Sequence, residues 1–154
     1  MSYLRAIDTI SGQEGKATAV INGVVTELFQ IKSLEATMDK QKTEVKTLGR
    51  RGIQHKGSGW KGKGSLTMYY VTSAFRELAL TYNKTGVDVS FDITVENQDP
   101  TSSIGTQTIV LYNCNLDSTV LAKLDTSAEV LEEDADFTFD DFDMPNSFDK
   151  PVAL

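Results

Sequence analysis

Cations, glycines and a single tryptophan crowd together in "LGRRGIQHKGSGWKGKGSL", residues 48 to 66. Gly57-Ser58-Gly59-Trp60-Lys61-Gly62 fits the G-x-G-x-x-G of dinucleotide-binding turns. Gly57 to Lys63 fits most of a P-loop, with Gly64 standing where Ser or Thr would bind magnesium. Both motifs need a buried strand leading in and a helix N-terminus leading out, so that free N–H groups and the helix dipole meet the phosphate. Here "LGRRGIQHK" is too polar for a buried strand and "SLTMYYV" reads as another strand, so no nucleotide is expected. Three readings of the stretch remain. Arg50, Arg51, Lys56, Lys61 and Lys63 could pair nucleic-acid phosphates while Trp60 stacks a base. The same six residues could anchor a subunit interface, where a large aromatic contributes most. The third is a solvated flexible loop without a partner.

The second concentration of ionisable groups is acidic. Residues 125 to 143 carry nine Asp and Glu and no Lys or Arg. On an extended chain Glu132, Asp134, Asp136, Thr138 and Asp140 project to one side, and Ala135, Phe137 and Phe139 to the other. Four carboxylates in a row repel one another, so that side must look onto water. A calcium loop of the form D-x-[DN]-x-[DN]-G is broken by Thr138 and Phe139, and no metal is expected.

Catalysis finds no support. His55 is the single histidine, with no nucleophile or orienting acid recognisable near it, and neither G-x-S-x-G nor H-E-x-x-H occurs. Cys114, the only cysteine, cannot form an intrachain disulfide and reads as a small buried apolar residue. Neither an enzyme nor a cofactor is expected. The longest apolar runs, "MYYV" and "IVLY", fall far short of the ~18 residues a membrane helix needs, and no signal peptide is expected at the N-terminus.

The backbone that carries these groups reads mostly as strands. With 154 residues, 40% hydrophobic and 24% charged, the chain suits one domain spanning 1–154, with residues 1–15 as a mobile leader and 144–154 as a C-terminal tail. "KATAVINGVVTELFQI" predicts a hairpin turning at Asn22-Gly23. Residues 27 to 47 predict a long bulged strand or a long hairpin, because the apolar phase shifts from Phe29 and Ile31 to Leu34, Ala36 and Met38; Ser33, Glu35, Thr37 and Asp39 then form a wholly polar face. Phe75, Leu78, Ala79 and Tyr82 carry the one helical period, with Thr72 or Ser73 as N-cap and Gly86 as the stop. "VDVSFDITVEN" predicts a half-buried strand from Val87, and "TQTIVLYNCNLDSTVLAKL" and "EVLEEDADFTFDDFD" extended segments. About seven strands and one helix make the fold α+β and mainly β.

Charge is polarised along this chain. Residues 1 to 76 hold 12 Lys and Arg against 6 Asp and Glu, whereas 77 to 154 hold 3 against 16, for a net charge of -7. Such a molecule can attract a second copy of itself.

"LFQIKSLEATMDKQKTEVKTLGRRGIQHKGSGWKGKGSLTMYYVTSAFRELAL" together with "FTFDDFDMPNSF" resembles the tail tube proteins of contractile phages and defective prophages, the XkdM-like family, over about residues 12 to 148. The resemblance implies an antiparallel β-sandwich or partly open barrel with one flanking α-helix. It implies homohexameric rings stacked head to tail, whose inner strands close a β-barrel around a lumen for phage DNA, without sequence-specific binding or membrane insertion. It further implies contacts with a tape-measure protein, a tail sheath, and baseplate and tail terminator proteins, no cofactor, and a place in the virion tail after assembly in the host cytoplasm. On that picture Arg50, Arg51, Lys56, Trp60, Lys61 and Lys63 belong to a subunit or ring interface, and Glu132, Asp134, Asp136 and Asp140 face the lumen. A type VI secretion-like ring protein, or a small nucleic-acid-binding module using the 50–63 loop, are the competing readings.

Overall fold

In the computed structural model, which describes residues 3 to 28 and 31 to 151, Asn22 and Gly23 close a hairpin between β1 (Lys16–Ile21) and β2 (Val24–Glu27). Their φ angles of 52° and 78° are the left-handed values a tight hairpin turn requires. The chain continues through β3 (Ile31–Val45) and β4 (Gln54–Tyr69), then α1 (Ala74–Thr85), β5 (Phe91–Gln98), β6 (Thr106–Leu116), β7 (Glu132–Phe139) and β8 (Asp141–Asn146). Phe29 and Gln30 lie outside the described residues.

All strand pairs are antiparallel, in the order β2-β1-β5-β6-β7-β4-β3, with β8 also on β6; the path is not closed, and β2 and β3 are its two ends. The turn of the sheet from one layer to the other happens at β6. Its Asn115 and Leu116 pair with Thr138 and Phe137 of β7, whereas Thr108 to Tyr112 pair with β8. β7 and β8 are thus one bent strand along β6, broken at Asp140, not the single segment expected. Opposite the break Asn113 takes φ 56°, donating its backbone N–H to the Asp92 carboxylate at 3.0 Å and its side-chain amide to Asp140. Both layers contribute to one core that includes Ala19, Phe91, Ile93 and Leu111 from one side and Leu66, Met68, Ala135 and Phe137 from the other.

Two boundaries differ from expectation. The alternation from Val87 does not become strand before Phe91, because β1 reaches only Asp92 and β6 only Phe91, and among the described residues no strand pairs 87 to 90. The C-terminal tail begins later than residue 144, since Met144 to Asn146 lie in β8 and Asp149 donates its N–H to Ile104 O at 2.7 Å. Within the leader, Asp8 is buried against Arg5 and Ser103, and the Asp99 carboxylate accepts the Ser11 N–H at 2.9 Å. Both carboxyls are held below the usual range, Asp8 chiefly by the Ser103 hydroxyl and Asp99 chiefly by that of Thr101.

The largest difference is the glycine-rich stretch. It is not a loop: residues 54 to 64 belong to β4, and only 46 to 53 turn. Two of its glycines lie directly across from aromatic residues, Gly62 from Phe139 and Gly64 from Phe137. A Cβ on Gly64 would stand 2.3 Å from the Phe137 ring, and one on Gly62 2.6 Å from that of Phe139. The glycines are there to let two phenyl rings lie over the β4 backbone, and the missing side chains are replaced by a neighbour's ring. Gly64→Ala should therefore destabilise the subunit by about 1–3 kcal/mol through overpacking, while Gly57→Ala, with open space around its Cβ, should cost well under 1 kcal/mol. Urea unfolding of the two variants checks this; equal midpoints would contradict it.

Candidate functional site: a polar sheet face and a hairpin arm

Alternation along β4 and β7 sorts their side chains. Glu133, Ala135, Phe137 and Phe139 are buried, whereas Asp134, Asp136 and Thr138 are exposed and Glu132 is half-buried. On β4, Leu66 and Met68 point inward, and Lys61, Lys63, Ser65, Thr67 and Tyr69 take the opposite phase. The register extends the outer face across three strands. Glu35, Ser65 and Asp136 lie in one row, Thr37, Lys63 and Thr138 in the next, and Ser33, Thr67 and Asp134 on the other side. The polar stretch 33 to 39 and the acidic stretch 132 to 138, far apart in sequence, are the same surface.

That surface is not purely acidic. Lys63 Nζ lies 3.0 Å from Asp39 and Lys32 Nζ 2.8 Å from Glu132, an ion pair that raises the Lys32 ammonium above its usual range. Thr67 donates its hydroxyl to Asp134 at 2.7 Å. Lys61 and Lys63, grouped by sequence with the basic loop, thus lie on this face, Lys61 across from Asp39 and Lys63 paired with it. Asp140 stands apart from the row, at the bend after β7, where the Asn113 amide holds it.

Trp60 also moves. It is half-buried and packs on its own subunit, its ring centroid 6.0 Å from Phe139 and 5.6 Å from Phe142, edge-on to the latter. A ring held this way is not free to intercalate between bases, which removes the main support for a nucleic-acid module using residues 50 to 63. Beyond Trp60 the β3–β4 ribbon loses its third strand, since β7 pairs only Gly62 to Tyr69. From Asp39 through Val45 and from Gln54 to Gly59 every residue is exposed. Arg50 and Arg51 lie at the tip of this arm, and Lys56 on its β4 strand, paired with Thr43. A two-stranded ribbon without further support is marginally stable in water.

One constellation escaped the sequence. Arg76 of α1 donates to buried Glu133 of β7 at 2.5 Å, to Val120 O at 3.3 Å and to Thr72 O, with its guanidinium 4.3 Å over the Tyr70 ring. It ties the helix, the 117–131 segment and the acidic strand together. The signal was present: Glu133 is the one carboxylate in β7 on the phase of Ala135, Phe137 and Phe139. His55 and Cys114 take no part. His55 is exposed and paired across the arm with Glu44, and burial pushes the Cys114 thiol up to about 12.

The sequence pattern of the phage tail tube protein family matches residues 2–146. The chain belongs to the phage tail tube protein family. Within this family setting it is 43% identical over 142 residues to Phage-like element PBSX protein XkdM of Bacillus subtilis (strain 168), covering 92% of this chain and 94% of that protein. Its fold is similar to a chain of the anti-feeding prophage tube-terminating cap, with TM-score 0.67 at 13% identity, covering 90% and 92% of the two chains. It is likewise similar to a chain of the sheath–tube complex of an extracellular contractile injection system, with TM-score 0.63 at 13% identity and 94% and 93% coverage. The partly open antiparallel fold with one helix is that of tail tube structures.

Two substitutions separate packing from surface roles. Trp60→Ala should lower subunit stability by about 2 kcal/mol, because it removes an aromatic lid from Phe139 and Phe142. Glu133→Ala should cost about 3–5 kcal/mol by leaving the Arg76 charge largely buried and unpaired. Denaturant titration measures both, and wild-type stability in either variant would contradict the packing described.

Proposed function

We propose that this chain is the structural subunit of a contractile tail tube, assembling into hexameric rings that stack head to tail, with the outer face of β3, β4 and β7 lining a lumen through which phage DNA passes. The observation that carries the reading is that face itself. A three-stranded sheet whose outer side bears Glu35, Asp39, Glu132, Asp134 and Asp136, softened by Lys32, Lys61 and Lys63, is a wettable wall that offers phosphate little to bind. Its β3 edge is open, so a neighbour's strand can extend it.

The polarised charge supports stacking. The arm carries Arg50, Arg51 and Lys56, whereas most carboxylates lie in the second half of the chain, and a heterologous contact between unlike surfaces grows into an open array. Arg50, Arg51 and Lys56 are assigned to that interface, Trp60 to holding the root of the arm, and Lys61 and Lys63 to the lumen side. Asp140 is assigned to the sheet bend. A surrounding sheath, an inner tape-measure protein during assembly, and baseplate and terminator proteins at the ends complete the particle tail, with no catalytic step asked of the subunit.

Electron microscopy of the purified chain should show rings or tubes. In assembled particles, Glu132, Asp134 and Asp136 all changed to Lys should leave tube length near normal yet slow DNA ejection, more at low salt, because the wall then attracts phosphate. Asn at the same positions should eject like the wild type. Wild-type ejection by the Lys variant at low salt would refute the lumen assignment, and a chain that stays monomeric at high concentration would refute the tube subunit itself.

A further inference from the structure

The helical stripe predicted for α1 is only half used. Phe75 is buried and stacks on Phe91, with ring centroids 5.9 Å apart, and Leu78 is half-buried, yet Tyr82 is 57% exposed. The unused half borders a cleft of about 530 Å³ between α1, the 117–121 segment and the ends of β5 and β6. Its floor includes Phe75, Phe91 and Leu116, its margin includes Leu121, 70% exposed, and its rim carries Asp88 and Asp117 with no Lys or Arg. Such a cleft suits an apolar plug flanked by cations.

The chain carries a plug of that kind. Residues 45 to 76 contain no Asp or Glu, and the turn of the β3–β4 arm presents Leu48, fully exposed, and Ile53, 46% exposed, around Arg50 and Arg51. In the single subunit this turn is exposed, so its own cleft is not where it rests. We propose that the α1 cleft receives the β3–β4 hairpin tip of a second copy of the chain, with Leu48 and Ile53 on the apolar floor and Arg50 and Arg51 opposite Asp88 and Asp117. The inference rests on the self-assembly reading above and deepens it by naming the two surfaces that meet. The contact is heterologous, so each copy offers one tip and one cleft, and copies join in series. It also gives the marginal two-stranded arm the support it lacks in the monomer.

The test uses the full-length protein. Leu48→Cys and Leu121→Cys together should give an intermolecular disulfide ladder on mild oxidation of assembled material, while either change alone should not, since Cys114 is buried. Arg50→Glu with Arg51→Glu, or Asp88→Lys with Asp117→Lys, should each reduce tube yield at least about tenfold, and the four changes together should restore most of it. All six positions are on the surface of the subunit, and circular dichroism of each variant should match the wild type. Tubes that form normally without any Leu48–Leu121 cross-link, or a fourfold variant no better than its parents, would overturn the proposal and leave the cleft to another protein such as a sheath. A wild-type chain that forms no rings or tubes would instead bring down the self-assembly reading, and this inference with it.

Discussion

The register between β4 and β7 fixes which side chains of the sheet are buried. Gly62 faces Phe139 and Gly64 faces Phe137, and the two rings lie so close to the β4 backbone that no other residue type fits at either glycine without movement. A slip by one residue would place Lys63 under a phenyl ring and turn Asp134 and Asp136 into the core, at a cost of several kcal/mol for each unpaired buried charge. Aromatic rings against glycine therefore decide which side chains of three strands meet water. The polar outer face follows from an apolar inner one.

The same pairing defines where the sheet stops. β7 bends away after Phe139 to run along β6 as β8, so β3 and β4 continue without a third strand and become the arm. Trp60 marks the boundary, seated on Phe139 and on Phe142 across the bend. Beyond it both strands are exposed, so one continuous pair of strands is part of a three-stranded sheet at one end and a two-stranded arm at the other. Arg76 performs the matching task on the opposite side of β7, holding α1 and the 117–131 segment to Glu133 so that the acidic strand is anchored from behind.

Much of this was legible in the residues. Asn22-Gly23, the period of α1 with Gly86 at φ 72°, and the strict alternation of β7 each follow from local chemistry and appear where expected. The acidic row was legible for the same reason, because period 2 puts Asp134 and Asp136 opposite Phe137. The strand through Gly57, Gly62 and Gly64 was not, since glycine and lysine disfavour strands locally, and it takes the pairing with β3 along nearly its whole length and the β7 rings over Gly62 and Gly64 to make it one. Lys61 and Lys63 were misgrouped on that account: in a loop they join Arg50, whereas in a strand their phase carries them among the carboxylates. Asp140 was misplaced because alternation along one strand cannot foresee the bend at Asp140, where Asn113 of another strand donates to its carboxylate. The Arg76–Glu133 pair needed the helix and strand brought together before either residue looked unusual.

A helical reconstruction of the assembled tube would locate this face directly. Glu132, Asp134 and Asp136 should lie at the inner wall, with β3 of each subunit continuing into the sheet of a neighbour. Those carboxylates on the outer, sheath-facing surface, with another set of strands around the lumen, would contradict the lumen assignment.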